Sequence, residues 1–136
     1  MADAAFDFPV TTLSRPYWEA AAQGRLIAPR CNACQRFFFA PEIACTHCFS
    51  TDWSWVETSG RGEVYSYTTV HRAPVPGMAT PYVLAAVELP EGFTMFAHLV
   101  DCPPEALTCG LPVEVDFRPL HDGRIAPVFK PRPSSV

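Results

Sequence analysis

Alternation of apolar and polar residues fills the second half of the chain. Val64 to His71 alternates and is rich in Val, Tyr and Thr, which favour β-strands. Four more strand-like segments follow, bounded by proline, glycine or polar turns: Tyr82 to Leu89, Phe93 to Val100, Val113 to Arg118 and Ile125 to Phe129. The last two are predicted to form a hairpin with Asp122-Gly123 at its tip.

These five strands have no helical layer beside them, so they must close on each other to hide their edges. A long connection, with a helical turn predicted at Pro103 to Leu107, separates the third strand from the fourth. This order fits a five-stranded Greek-key barrel, the OB-fold. A small β-sandwich is the competing interpretation.

The first half has a different pattern. Ser14 to Gln23 is predicted to form a short helix, with Ser14 as its cap and Gly24 ending it in the left-handed conformation. Short strands are predicted at Phe37 to Ala40 and at Trp53 to Val56. Because side chains alternate along a strand, one ring of the Phe37-Phe38-Phe39 run must lie opposite the other two. Either the rest of the chain or another protein should therefore cover the second face.

Two Cys-x-x-Cys pairs, Cys31 with Cys34 and Cys45 with Cys48, predict one tetrahedral metal site. Soft thiolates in a closed tetrahedron favour Zn²⁺, one ion per chain, and leave no open position for a substrate. The zinc is therefore expected to be structural. Two disulfides and a rubredoxin-type iron are the alternatives, and His47 is interpreted as an exposed residue of the second turn rather than a ligand.

Charge and composition narrow the possible partners. The 136 residues carry a net charge of −4, only 18% are charged, and Lys130 is the single lysine. Nucleic-acid affinity depends largely on Lys and Arg that neutralise phosphates, so binding to nucleic acid is not expected.

No apolar run is long enough to span a membrane. Met1 to Val10 has no positively charged start, so it is not a signal peptide, and a reducing cytoplasm is expected.

The chain is predicted to be mainly β, with four segments. Residues 1–25 form an extension and helix, 26–58 a zinc ribbon, 59–132 the barrel, and 133–136 a tail. Roughly 30 residues cannot build an adequate core, so the metal should supply most of the ribbon's stability.

An ordered set of short motifs resembles one known family, the rubredoxin-like zinc-ribbon/OB-fold proteins long classed as a domain of unknown function. The motifs run from about Ser14 to Arg132: Pro16-Tyr17-Trp18-Glu19, Gly24-Arg25-Leu26, the two cysteine pairs, Gly60-Arg61-Gly62-Glu63-Val64-Tyr65-Ser66, His71-Arg72-Ala73-Pro74, Pro81-Tyr82-Val83, Leu89-Pro90-Glu91-Gly92, Gly110-Leu111-Pro112-Val113-Glu114-Val115 and Pro127-Val128-Phe129. One departure is Gln35, where glycine is common.

The resemblance implies a non-catalytic accessory subunit of an acyl-CoA enzyme. The implied partners are thiolases, lipid-transfer-type thiolases or retro-aldolases of steroid side chains, hydroxymethylglutaryl-CoA synthases, and enoyl-CoA hydratases. In some complexes of this family the barrel helps to form the CoA channel. Oligomers are expected to form through the partner.

Two sets of surface residues are candidates for these contacts. Phosphates of CoA require cations, and four residues are candidates to reach a common mouth of the barrel: Arg61, Arg72, Lys130 and Arg132. Aromatic residues are enriched at interfaces, which makes Tyr17, Trp18 and Phe38 candidates for the partner surface, the last if its ring faces outward.

Neither alternative function class has comparable support. His71, His98, His121, Cys102 and Cys109 are scattered and form no recognisable acid–base or nucleophile motif. One alternative is a stand-alone thioester-active enzyme, which no such motif supports. A single-stranded nucleic-acid module is the other, with Tyr65 and Tyr67 as stacking residues but few basic neighbours.

Overall fold

The computed structural model describes residues 10–74, 76–120 and 123–133. Its elements, in chain order, are α1 (Arg15–Ala22), β1 (Ile27–Cys31), β2 (Trp53–Glu57), β3 (Arg61–Val70), β4 (Tyr82–Leu89), β5 (Phe93–Leu99), a 3-10 turn (Pro104–Ala106), β6 (Pro112–Pro119) and β7 (Ile125–Pro131). This confirms the predicted mainly-β class with one short N-terminal helix. The division into four segments stays a prediction, and its outermost parts, 1–9 and 134–136, lie outside the described residues.

Helix α1 begins and ends close to the predicted residues. The hydroxyl of Ser14 does not cap the helix, which corrects the prediction. It accepts a hydrogen bond from the Thr11 N–H at 3.0 Å instead, because the chain turns back on itself just before the helix. Gly24 ends the helix at φ +78°, as predicted. The N–H groups of Gly24 and Arg25 bond to the last turn of α1, on the carbonyls of Ala21 and Ala20.

The ribbon is a two-stranded antiparallel sheet of β1 and β2. The Phe37 to Phe39 run begins beside β1, where Phe37 bridges to Arg30. The predicted strand at Phe37 to Ala40 is wrong: only an isolated bridge joins Phe37 to Arg30. The rings nevertheless alternate. Phe38 is 2% exposed and packs on Trp53 beside the cysteines. Phe37 and Phe39 stack on Phe93 of the barrel, with ring centroids 5.9 and 5.6 Å away. The chain's own barrel therefore covers the second face.

The barrel closes in the order β3-β4-β5-β7-β6, and the OB-fold prediction is confirmed. Each pairing is antiparallel except that of β5 with β7, where Leu99 lies beside Phe129 and the Val100 N–H bonds to the Phe129 carbonyl at 2.8 Å. The connection between β5 and β6 lets β7 fit between them, which is the Greek-key crossing. The interior is lined by buried side chains that include Val64, Val87, Met95, Val113 and Phe129. The predicted hairpin tip at Asp122 lies outside the described residues.

A close approach between strands explains Gly62. A Cβ at this position would lie 2.5 Å from the carbonyl oxygen of Glu88, so no other residue fits without moving β3 away from β4. This glycine lets β3 lie close to β4 near the start of the barrel. Over the described residues, no helix combines the length and the apolar character that crossing a membrane requires.

Ion pairs join the end of β5 to β6. The guanidinium of Arg118 bonds to the carboxylate of Asp101 at 2.5 Å and to that of Asp116 at 3.0 Å. These hydrogen bonds hold the pKa of Asp101 below its usual value. The pKa of Asp116 is lowered first by the backbone N–H of Phe117 and then by Arg118. The pairs therefore stabilise the fold above the unfolded-state pKa, and their contribution is lost as pH falls through the lower folded-state values.

We expect Arg118→Met to lower the melting temperature at neutral pH and to flatten its dependence on pH. The melting temperature of the unmodified chain should fall as the pH drops below the ordinary aspartate pKa of about 3.9, because the lowered pKa values of Asp101 and Asp116 delay their protonation in the folded state. That of the variant should change less over the same range. Thermal unfolding followed by circular dichroism checks this, with Arg15→Met as the matched control. Identical pH profiles for the unmodified and Arg118→Met chains would contradict it.

Candidate metal centre and surface sites

The four predicted cysteines converge on one point. The sulfur atoms of Cys31, Cys34, Cys45 and Cys48 all lie within 4.8 Å of one another. Two of the separations are 3.5 Å, between Cys31 and Cys48, and 3.7 Å, between Cys34 and Cys45. A tetrahedron with metal–sulfur bonds of about 2.3 Å has sulfur–sulfur edges of about 3.8 Å. The cage therefore fits one tetrahedral metal ion, and its chemistry favours zinc.

Backbone N–H groups in both turns prepare the sulfurs to bind metal. The N–H groups of Ala33 and Cys34 point at the Cys31 sulfur from 3.3 and 3.4 Å, and the His47 N–H points at Cys45 from 3.3 Å. The bond from Cys34 is the largest cause that lowers the pKa of Cys31, which falls to about 7. A thiol with a lowered pKa loses its proton more readily to an incoming metal ion.

The two turns share one backbone geometry. Cys31 and Cys45 each accept a bond at their carbonyl from the residue after the second cysteine, Gln35 or Phe49. Both of those residues have positive φ, +69° and +66°, where glycine is the easiest residue to accommodate. Gln35 therefore keeps the turn despite its departure from the common glycine. Its side chain accepts a bond from Arg30 at 2.6 Å.

His47 takes no part in the cage. Its Nε2 lies 3.2 Å from the carbonyl oxygen of Phe37, and its Nδ1 lies 3.5 Å from the guanidinium of Arg36. The imidazole therefore bridges the second cysteine turn to the segment after the first. This agrees with its interpretation as a surface residue of the turn.

The four candidate cations do not share one mouth of the barrel. Arg61 and Arg132 line one cavity of about 620 Å³, together with Ser59, Glu63, Glu88 and Thr94. Arg72 follows the other end of β3, and ten residues of strand span roughly 33 Å. Lys130 lies 3.9 Å from the carboxylate of Asp116, beside the Arg118 ion pairs. Arg61 and Arg132 therefore lie at one cavity, Arg72 lies at the other end of β3, and CoA binding stays a prediction for all four residues.

The predicted interface residues contact the chain itself. Phe38 faces the cysteine cluster rather than solvent, because the alternation of the phenylalanine run turns it inward. Tyr17 packs between Trp18 and Phe39, at 5.2 and 5.6 Å between ring centroids, and burial raises the pKa of its phenol. Trp18 is half-buried, with the guanidinium of Arg124 4.8 Å above its ring. An interface role stays a prediction for Tyr17 and Trp18, while Phe38 offers no free surface.

Other large apolar side chains are exposed, and sequence reasoning missed them as a group. Ile43 and Phe49 protrude from the ribbon, 76% and 79% exposed, and Phe96 protrudes from the barrel, 75% exposed. For Phe96, the alternation of apolar and polar positions along the strand could have indicated its exposure. In β5 its neighbours Met95 and Ala97 are buried, so alternation places Phe96 on the outer face.

No acid–base or nucleophile constellation forms among the described residues. His98 stacks on Tyr82, with ring centroids 4.5 Å apart, and burial lowers its pKa. His71 follows β3 and is exposed, as is Cys109, while His121 lies outside the described residues. Burial raises the pKa of Cys102, the opposite of what an activated thiol needs.

Comparison with known proteins gives matches over both parts of the chain. The family model described as the ChsH2 rubredoxin-like zinc ribbon domain matches residues 18–54, and that described as the ChsH2 C-terminal OB-fold domain matches residues 55–118. A DUF35 domain-containing scaffold protein of Methanocaldococcus jannaschii is 37% identical over 79% of this chain and 81% of its own length.

Two further similarities involve CoA-ester or aldolase proteins. A probable enoyl-CoA hydratase alpha subunit of Thermomonospora curvata is 40% identical over 90% of this chain. The chain spans only 39% of the length of that subunit. A chain in a solved structure titled Ltp2-ChsH2(DUF35) aldolase superposes with a TM-score of 0.80 at 39% identity, over 90% of this chain and 96% of the other.

We expect purified protein to contain one zinc ion per chain and Cys45→Ser to contain almost none. Loss of metal should unfold the ribbon, because the free energy of metal binding is also free energy of folding there, about 10–16 kcal/mol in zinc-finger peptides. Elemental analysis gives the stoichiometry, and tryptophan fluorescence, to which Trp53 beside the cage contributes, reports the packing of the ribbon. Cys109→Ser is the matched control and should keep its zinc. Iron in the purified protein, or folded protein without metal, would contradict the prediction.

Proposed function

Because the chain belongs to the ChsH2 family of rubredoxin-like zinc-ribbon and OB-fold proteins, we propose that it is a non-catalytic accessory subunit of an acyl-CoA-processing enzyme complex. The observation that carries the proposal is the similarity along almost the whole chain to one chain of an aldolase structure. Scaffold and hydratase-subunit relatives support the same function class. A thiolase, a retro-aldolase or an enoyl-CoA hydratase is the kind of partner we propose.

The geometry of the metal centre supports a structural function for the ion. Cys31, Cys34, Cys45 and Cys48 would supply all four ligands, which leaves no position for substrate or for an activated water. The ion would hold the two cysteine turns together, and Phe38 and Trp53 pack beside them. The ion would thereby keep the ribbon folded beside the barrel.

A reducing cytoplasm is the compartment we propose for the complex. Four of the six cysteines are arranged for a metal ion, and Cys102 and Cys109 are free thiols. Thiols of both kinds persist where the surroundings are reducing.

Purified alone, the chain should turn over no acyl-CoA thioester. Purified with the acyl-CoA enzyme encoded beside it in its genome, it should raise the soluble yield or the activity of that enzyme. Co-expression with and without the chain measures both effects. Phe49→Asp should weaken co-purification while one zinc per chain is retained, because the exposed ring is lost and no buried contact is. Thr51→Asp, also exposed on the ribbon, is the matched control.

Thioester turnover by the isolated chain would contradict this proposal, above all if His71→Ala, His98→Ala or Cys109→Ser abolished it. That result would favour a stand-alone enzyme. Salt-sensitive micromolar binding of single-stranded oligonucleotides would favour the nucleic-acid alternative. The exposed Tyr65 and Tyr67 are the observation on which that alternative depends.

We also propose that the cavity beside Arg61 and Arg132 contacts the phosphates of CoA. Neither guanidinium has an ion pair among the described residues, so both are available to a phosphate. Glu63 and Glu88 line the same cavity and oppose an anion. We therefore expect weak binding by the isolated chain and tighter binding once the partner completes the site.

Arg61→Ala should weaken binding of CoA to the complex by about tenfold, which is typical of one lost charge-assisted contact. Arg72→Ala is the matched control, because it removes the same charge at the opposite end of β3. Isothermal titration with CoA gives both affinities. Equal affinities for the two variants would remove Arg61 from the proposed site.

A further inference from the structure

One edge of β3 loses its strand partner halfway along. Strand β6 pairs with β3 only from Arg61 to Glu63. The last backbone bonds on this side join Val64 to Leu111 and Gly110, at 3.0 and 2.7 Å. From Ser66 to Val70, the described part of the chain pairs β3 with β4 alone. We call residues 66–70 the free edge.

The free edge lacks the features that normally prevent edge-to-edge pairing. Such edges usually carry lysine, proline, an inward-pointing charge or a bulge. The sequence from Ser66 to Val70 contains no charge and no proline. The irregularity in the ladder lies before it, between Val64 and Ser66, and the pairing with β4 is regular from Ser66 onward. The backbone is therefore extended and able to accept another strand.

Both faces of the strand are also open at this end. Ser66, Tyr67, Thr68 and Thr69 are all exposed, whichever face of the sheet they lie on. An incoming strand would therefore meet no side chain packed across its path from β3 itself. An extended backbone is what matches a row of free N–H and C=O groups, so the occupant must be a β-strand.

We propose that the free edge pairs antiparallel with the free edge of a second copy of this chain. The segment is self-complementary about Thr68: Ser66 would lie opposite Val70, Tyr67 opposite Thr69, and Thr68 opposite itself. Tyr–Thr and Thr–Thr pairs are favourable across strands, and a two-fold axis makes the contact closed.

Charge at the two ends favours a second copy over an unrelated strand. Glu63 precedes the free edge and Arg72 follows it. In an antiparallel pair, the acidic end of one copy lies near the basic end of the other. This interaction does not depend on the enzyme partner and goes beyond the proposed function.

The mass of the purified zinc-containing chain, measured by light scattering over a range of concentrations, tests this pairing. We expect a dimer with twice the mass of the 15.0-kDa chain. Thr68→Lys and Thr68→Glu should each weaken dimerisation at least tenfold, because like charges meet at the axis. An equimolar mixture of the two variants should restore a dimer. Thr51→Lys, exposed on the ribbon, is the matched control and should dimerise normally.

A 15.0-kDa monomer at every concentration would overturn the proposal. So would dimers of both Thr68 variants, or a mixture that stays monomeric while each variant keeps its zinc and its circular dichroism spectrum. A third outcome is that Thr68→Lys dimerises normally but no longer co-purifies with the enzyme partner. This result would assign the free edge to a strand of that partner, and it would also overturn pairing between copies.

Discussion

The need to hold four thiolates around one ion determines how the ribbon is arranged. The ribbon is too short to build a core of its own. Its buried centre is Cys31, Cys45 and Phe38. Because Phe38 fills the space beside the sulfurs, its two neighbours must point the other way, and they stack on Phe93. The metal site and the attachment of ribbon to barrel thus depend on one alternating run of three residues.

The cysteine turns also bear a conformational cost. A non-glycine residue at positive φ costs about 1–2 kcal/mol. At Gln35 the cost is offset by its hydrogen bonds to Arg30 and to the carbonyl of Asn32. The ring of Phe49 stays 79% exposed and gains little in return. The cost at Phe49 therefore belongs to the cysteine turn itself, whose bond from the Phe49 N–H to the Cys45 carbonyl requires this backbone conformation.

Local signals were enough to predict the helix, the barrel strands and the metal ligands. The sequence predicts the bounds of Tyr82–Leu89 to the residue because prolines lie on both sides of it. The Cys-x-x-Cys spacing identifies its ligands without any tertiary information. Properties that depend on distant contacts were not predictable. Which face of the phenylalanine run turns inward depends on Phe93, and the separation of Arg61 from Arg72 follows from the full length of β3. The free edge arises where β6 stops pairing.

The stacking of Phe37 and Phe39 on Phe93 has a consequence for biosynthesis. All four cysteines leave the ribosome before Phe93 does, so the ribbon can bind its metal while the surface that covers its second face does not yet exist. At about 5–20 residues per second, the two rings lack their contact with Phe93 for several seconds. During this interval the nascent chain presents an apolar surface to chaperones and to other nascent chains. The number of residues between the ribbon and β5 sets how long that exposure lasts.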